Sequence, residues 1–314
     1  LFFPIGWIRD FAIARTVWMG ALQIATVGLV LVALRMSRWR TSWFSLPFVF
    51  LFALFWAPSA LSIVDGNFIL FQSLFVFGAI RALETEADEL AGALAALGVL
   101  YLGVTGLPLL LLAVWMVAAG RYRILAGFLM TLSLLVAISF LVFPEWPLQF
   151  LINAINESRA QVLPSTFRSF ENWFPGLGIR LAQGLRAIAI AVLFFEWQAV
   201  RRKGVHWLYW TMSLTAVLVP YFGVKFAPAW SAFSLPAVIL VLSIMGQRWG
   251  VLGRLAAIGV AILLLVGLWA AYLAGLDAVF LFVYPLVMAV LLYWVRWWAT
   301  RPPRLWMDMV STGR

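Results

Sequence analysis

Long apolar runs alternate along nearly the whole chain with short breaks made of arginine–tryptophan clusters or of Gly, Pro and Asp turns. A helix needs about 20 apolar residues to cross the hydrocarbon of a bilayer. On that measure the pattern predicts about eleven membrane-spanning helices, over 13–34, 44–64, 68–81, 90–106, 107–120, 124–143, 180–199, 206–224, 230–247, 254–275 and 279–297. The windows at 68–81 and 107–120 are short. Gly106 and Pro108 interrupt the run from 90 to 120, which reads as a tight helical hairpin; a single broken helix is the alternative. The fold expected is an all-α integral membrane protein, with residues 1–314 forming one polytopic bundle.

Two connections depart from the rhythm of short turns. Arg81 to Glu89 carries Glu84, Glu86, Asp88 and Glu89, an acidic run of the kind that covers a solvated surface. Residues 144–179 form the one long loop, and loops of this length in compact proteins are functional or disordered. Pro144, Glu145, Trp146 and Pro147 turn the chain, after which Leu148, Leu151, Ile152, Ile155 and Val162 recur at helical spacing. Asn153, Asn156, Glu157 and Arg159 fall mostly on the other face. The pattern predicts an amphipathic helix over 148–162, lying on the membrane surface and covering the mouth of a cavity.

Composition agrees with the membrane reading. Of 314 residues, 65% are hydrophobic and 11% charged, whereas soluble domains are about half apolar and about a quarter charged. The chain has no cysteine, which excludes disulfides and zinc–thiolate sites, and its single histidine, His206, excludes a multi-histidine metal centre. The net charge of +10 comes from arginines clustered between apolar runs, not from a nucleic-acid-binding stripe. Of the 22 basic residues, 15 fall in one set of loops: Arg35, Arg38, Arg40, Arg81, Arg121, Arg123, Arg201, Arg202, Lys203, Arg248, Arg254, Arg296, Arg301, Arg304 and Arg314. The other set holds Arg9, Arg15, Arg159, Arg168, Arg180, Arg186 and Lys225. The positive-inside rule makes the first set cytoplasmic, in a cell membrane, with Leu1 outside and Arg314 inside. Trp39, Trp43, Trp207, Trp249, Trp297 and Trp298 stand beside that set as interface anchors. A chain that starts outside at Leu1 without an initiator Met is expected to lack at least one upstream helix, that is, to be N-terminally truncated.

Candidate chemistry gathers at the other, outer rim, since the span interiors are nearly free of charge. Arg186 and Glu196 lie towards opposite ends of one span, within snorkelling reach of the interfaces. An ion-coupled transporter would need charged groups near the midplane. Asp65-Gly66-Asn67 joins two apolar runs, either as a plain turn in which Asn67 caps the next helix or as part of a site. Lys225 sits between Tyr221 and Pro228, and Arg168, Glu171 and Asn172 lie in the long loop. Interface anchoring and salt bridging are their plainer roles. Taken together, Asp65, Asn67, Arg168, Glu171, Asn172, Tyr221 and Lys225 predict one outward pocket for a lipid-linked phosphate and a sugar. In it Lys225 and Arg168 hold the phosphate, and Asp65 or Glu171 is a fallback base. No metal-ligand cluster, Walker loop or nucleophile elbow is present.

The order of these features resembles the GT-C glycosyltransferases of family 87. Phe3-Pro4 followed by Ala14-Arg15-Thr16-Val17-Trp18 is similar to that family's outer-loop proline and its "Ar-x-x-W" helix. Gly66-Asn67 falls at its Gly-Gln or Gly-Asn turn, and Ala91 to Pro108 at its small-residue helix and proline turn, with Gly106-Leu107 where lysine is frequent. Asn172 with Leu177 to Leu181 resembles its "Asn-x-S-x-x-G" entry, from which Trp173 and Phe174 depart, and Leu218-Val219-Pro220-Tyr221 its late "L-x-x-P" turn. The likeness covers most of the chain through short motifs. It implies transfer of a sugar, commonly mannose, from a polyprenyl-phosphate donor to a glycolipid or glycan acceptor at the outer face, with membrane lipids as surroundings and no cofactor. It also places the usual catalytic carboxylate in an outer loop upstream of Leu1. A transporter or flippase of a lipid-linked sugar, which would line a polar path across the bilayer, and a non-catalytic subunit of a membrane complex are the rival expectations.

Overall fold

The computed structural model describes residues 10–39, 45–99, 104–152, 164–248 and 250–300, and among them every regular element is a helix. In chain order these are α1 (Phe11–Met36), α2 (Ser45–Phe55), α3 (Ala57–Val64), α4 (Ile69–Glu84), α5 (Asp88–Gly98), α6 (Gly106–Ala118) and α7 (Tyr122–Val142). There follow α8 (Thr166–Trp173), α9 (Gly178–Lys203), α10 (Leu208–Leu218), α11 (Leu235–Arg248), α12 (Gly250–Leu273) and α13 (Tyr284–Thr300). Irregular helical turns fill the joints: 3-10 turns at Val205–Trp207, Val219–Phe222 and Pro228–Ser234, and a π turn at Val279–Val283.

Each of the eleven apolar windows contains helix, but their lengths divide them. Among the described residues six helices are long and apolar enough to cross a membrane: Phe11–Met36, Tyr122–Val142, Gly178–Arg202, Pro228–Gln247, Val251–Leu273 and Val279–Trp297. The window at 44–64 is a bent pair, Leu46–Phe55 and Ala57–Val64, meeting at 59° and counting as a seventh if it is one span. The other four windows hold shorter helices, α4, α5, α6 and Leu208–Phe222. The molecule is therefore an all-helical protein with several membrane-length helices. The bend has a local cause: Pro58 lies in the first turn of α3, where it has no N–H to donate back to α2. The Phe55 carbonyl accepts from Trp269 Nε1 of α12 at 2.8 Å.

The segment Pro228–Gln247, 89% buried, is the pillar of the core. Around it pack α1, α3, α4, α10, α12 and α13. The remaining long helices leave much apolar surface uncovered, with Leu134, Leu141, Leu252, Leu263 and Leu273 all exposed. In water that would be costly; in a bilayer it is the lipid-facing side.

The run from 90 to 120 leaves one end of the bundle and returns to it. Arg121, at the start of α7, donates to Asp88 at the start of α5 (3.2 Å) and to the Leu83 carbonyl near the end of α4 (3.4 Å). At the far end of this excursion Gln72 Nε2 donates to the Gly98 carbonyl (3.3 Å) and to Thr105 Oγ1 (3.1 Å). So α5 climbs to the level of Gln72 and α6 descends, a hairpin in connectivity. Its packing is looser than the sequence suggested, because α5 is pressed against α4 and α7 rather than flat against α6. Gly92 and Gly127 permit that approach: a Cβ on either would overlap the backbone of the partner helix, at Ile124 and Glu89 respectively.

In the long loop, 146–152 is helical and carries exposed Leu148, Phe150, Leu151 and Ile152. The rest of the surface helix expected over 148–162 lies outside the described residues. The second helix of the loop is α8, which the hydrophobic pattern does not predict. Ser165 caps it, its Oγ accepting from the Arg168 N–H at 3.3 Å.

Candidate functional site

Two ends of the bundle differ in chemistry. The first end collects Arg35, Arg81, Glu84, Asp88, Arg121, Arg201 and Arg296. Its ion pairs are Arg81–Glu84 (2.9 Å), Arg121–Asp88 and Arg296–Glu196 (2.6 Å). The last is a junction of three helices. Tyr293 OH donates to Glu196 Oε1 at 3.0 Å, and the Arg296 guanidinium lies over the rings of Trp207 (4.9 Å) and Trp210 (4.3 Å). Glu196, expected to snorkel, is instead mostly buried and paired. Sequence offered no sign of this, since its two members stand 100 residues apart.

The opposite end is built from α8 and the joints around it. α1 begins there, with Asp10 Oδ1 accepting from Ala12 N at 2.8 Å as its cap. One turn on, Arg15 Nη2 reaches the Val64 carbonyl (3.4 Å) and Trp18 Nε1 the Gly66 carbonyl (2.9 Å). Gly66 is left-handed, φ +67°, which suits a residue without Cβ. The Trp18 ring lies on Phe71, centroids 5.5 Å apart. Arg15…Trp18 and Gly66-Asn67 are thus in direct contact, a partnership that their spacing did not reveal. Asn67 Oδ1 accepts from Ile69 N at 3.1 Å, at the start of α4, and Asp65 is exposed.

Residues 164–174 form a strap over the 219–234 segment. Thr166 Oγ1 donates to the Pro220 carbonyl (2.6 Å) and Phe226 N to the Pro164 carbonyl (3.0 Å). Phe167 lies where a Cβ on Gly223, φ +78°, would stand. Phe170 and Trp173 close on Phe282 with centroids 4.9 and 5.0 Å away. Tyr221 is buried under this strap, its hydroxyl donating to the Phe282 carbonyl at 2.9 Å. Glu171 caps α9: Oε1 accepts from Gly176 N and Oε2 from Ile179 N, both at 3.1 Å. A carboxylate on the amides at a helix N-terminus is favoured by hydrogen bonding and by the helix dipole. Arg168, Asn172 and Lys225 are exposed.

The seven candidate residues therefore share one end. Ser62 Oγ bonds the Ala229 carbonyl at 2.7 Å, tying the last turn of α3 to the 3-10 turn that follows Lys225. Asp65 lies three residues after Ser62, and Lys225 four residues before Ala229. Arg168 and Asn172 ride on the strap. Three of the seven, Asn67, Glu171 and Tyr221, spend polar atoms on backbone. A cavity of about 420 Å³ is present elsewhere, lined by Phe55, Leu265, Val266, Trp269, Ala270 and Leu273 beside the α2–α3 bend, and it includes none of the seven. Among the described residues no three His, Asp or Glu side chains gather in a way that could hold a metal ion. Comparison with protein-family models, with curated proteins and with solved structures returns no match to this chain.

Proposed function

We propose that the protein is a GT-C-like membrane glycosyltransferase that moves a sugar, mannose in the first instance, from a polyprenyl-phosphate donor to a glycan or glycolipid acceptor. In this reading all eleven helical windows lie within the membrane domain, the arginine-rich end is cytoplasmic and the strap faces outward. The observation that carries it is the gathering of exposed Asp65, Arg168, Asn172 and Lys225 at one end of the bundle, opposite the end where Arg81–Glu84, Arg121–Asp88 and Arg296–Glu196 pair. Two cations beside a carboxylate at a membrane surface suit a lipid phosphate carrying a sugar.

The chemistry is one inverting displacement. A carboxylate takes the acceptor hydroxyl proton as its oxygen attacks the anomeric carbon, and the bond to the donor phosphate breaks, the phosphate leaving with the electron pair. Lys225 and Arg168 stabilise the charge that develops there. Of the two fallback bases, Asp65 is the better placed, because both Glu171 oxygens already accept backbone N–H groups.

The test is transfer from a radiolabelled polyprenyl-phosphate mannose to a membrane glycolipid by the purified full-length protein in nanodiscs. Lys225→Ala or Asp65→Ala should lower turnover by about tenfold or more, since a hydrogen bond to a charged group contributes about 1.5–3 kcal/mol. Glu84→Ala at the other end should leave it unchanged. Absence of transfer from any polyprenyl-phosphate sugar, or equal losses in all three variants, would overturn the proposal.

A further inference from the structure

Three breaks in regular helix meet inside the bundle: the α2–α3 bend at Trp56, the 3-10 turn Pro228–Ser234 and the π turn Val279–Val283 that leads into Tyr284. Non-helical backbone at membrane depth persists only where protein or enclosed water satisfies it. The side chains at this meeting are unusually polar for a core. Trp56, Ser59 and Ser62 come from the bend, Ser231 and Ser234 from the 3-10 turn, and all are at most 3% exposed. Ser62 bonds the Ala229 carbonyl, and Ser234 Oγ shares a short hydrogen bond with Tyr284 OH. The Trp56 ring lies 5.9 Å from that of Tyr284.

These contacts set α3 and the 3-10 turn running in opposite directions. Ser62 is level with Ala229, and Trp56, through Tyr284, is level with Ser234. Ser59, one turn from Ser62, then falls opposite the stretch around Ser231. Ser231 is one 3-10 turn before Ser234 and shares its face. Among the described residues, Trp56 Nε1, Ser59 Oγ and Ser231 Oγ have no protein hydrogen-bond partner. Three such groups in one apolar core would each cost about 1–3 kcal/mol if left dry.

We propose that Trp56, Ser59 and Ser231 bind ordered water inside the bundle. The ligand must accept from an indole N–H, which can only donate, and exchange hydrogen bonds with two hydroxyls. It must also be small and uncharged, since no charged side chain is present in the cluster to neutralise an ion. Water meets each requirement, with the two to four polar partners a buried water needs.

Radiolytic hydroxyl-radical footprinting read by mass spectrometry tests this, because bound water generates radicals beside the residues that hold it. Tyr209 is the control: it is as buried as Tyr284, 4% exposed in each case, and likewise hydrogen-bonded, but its hydroxyl meets the Pro236 carbonyl and not the serine cluster. Trp56 and Tyr284 should be oxidised several-fold faster than Tyr209 and Trp210, the latter 7% exposed with its Nε1 on the Leu292 carbonyl. A double-mutant cycle in thermal unfolding supplies the second reading. Ser59→Ala and Ser231→Ala should each lower the midpoint, with a combined loss smaller than the sum, because both act through one water. Oxidation of Trp56 and Tyr284 at the control rate, or a Ser→Ala variant that raises the midpoint by relieving a dry hydroxyl, would overturn the proposal.

Discussion

Glu171 shows how one carboxylate can be read two ways, and how the readings part experimentally. From its place in a long outer loop it was a fallback base; in the structure it receives two amides at the corner between α8 and α9. Glu171→Gln keeps an oxygen for one of those amides, so turnover should be largely retained. Glu171→Ala should cost about 0.5–2 kcal/mol of stability, the range for losing a helix cap. Chemical-denaturation curves and transfer assays on the two variants check this, and complete loss of turnover in a stably folded Glu171→Gln would return the residue to the chemistry. The sequence singles out Asp65, Arg168, Glu171 and Lys225, because charge stands out against an apolar background. It did not carry their partners. Tyr221 to Phe282, Arg15 to Val64 and Glu196 to Arg296 join residues 49 to 100 positions apart, and no local pattern encodes such pairings.

Elements were legible in proportion to their regularity. The long spans follow from apolar length alone, whereas α8 is eight residues of mixed character whose stability depends on the Ser165 cap and on contacts with Phe282. The bend in 44–64 was likewise hidden, although Pro58 marks it. The close crossing of α5 and α7 rests on Gly92 and Gly127, where backbone meets backbone. Gly92→Ala should destabilise by about 1–3 kcal/mol, the cost of overpacking. Gly184→Ala, in α9 with open space around it, should be neutral or stabilising by about 0.5–1 kcal/mol. Thermal midpoints of the two variants in one detergent make the comparison, and equal shifts would dissociate the glycine from the packing.

For the whole molecule, the bundle predicts which loops share a side. On the cysteine-free background, single cysteines at positions 84 and 225 should react with an impermeant maleimide from opposite faces of the membrane; reaction from the same face would invalidate the two-ended reading. The short hairpin has a further consequence. At 13 residues, α6 is about 20 Å long, against hydrocarbon about 30 Å thick. Its outer face is bare, with Leu110, Val114 and Val117 exposed. With α6 inside the bilayer, as proposed, lipids meeting that flank would experience hydrophobic mismatch and relieve it by thinning. Headgroups on the strap side would be drawn inward towards Thr105, forming a dimple in the leaflet beside the protein. On the glycosyltransferase reading proposed above, a carrier lipid diffusing into such a dimple would present its phosphate below the plane of its neighbours.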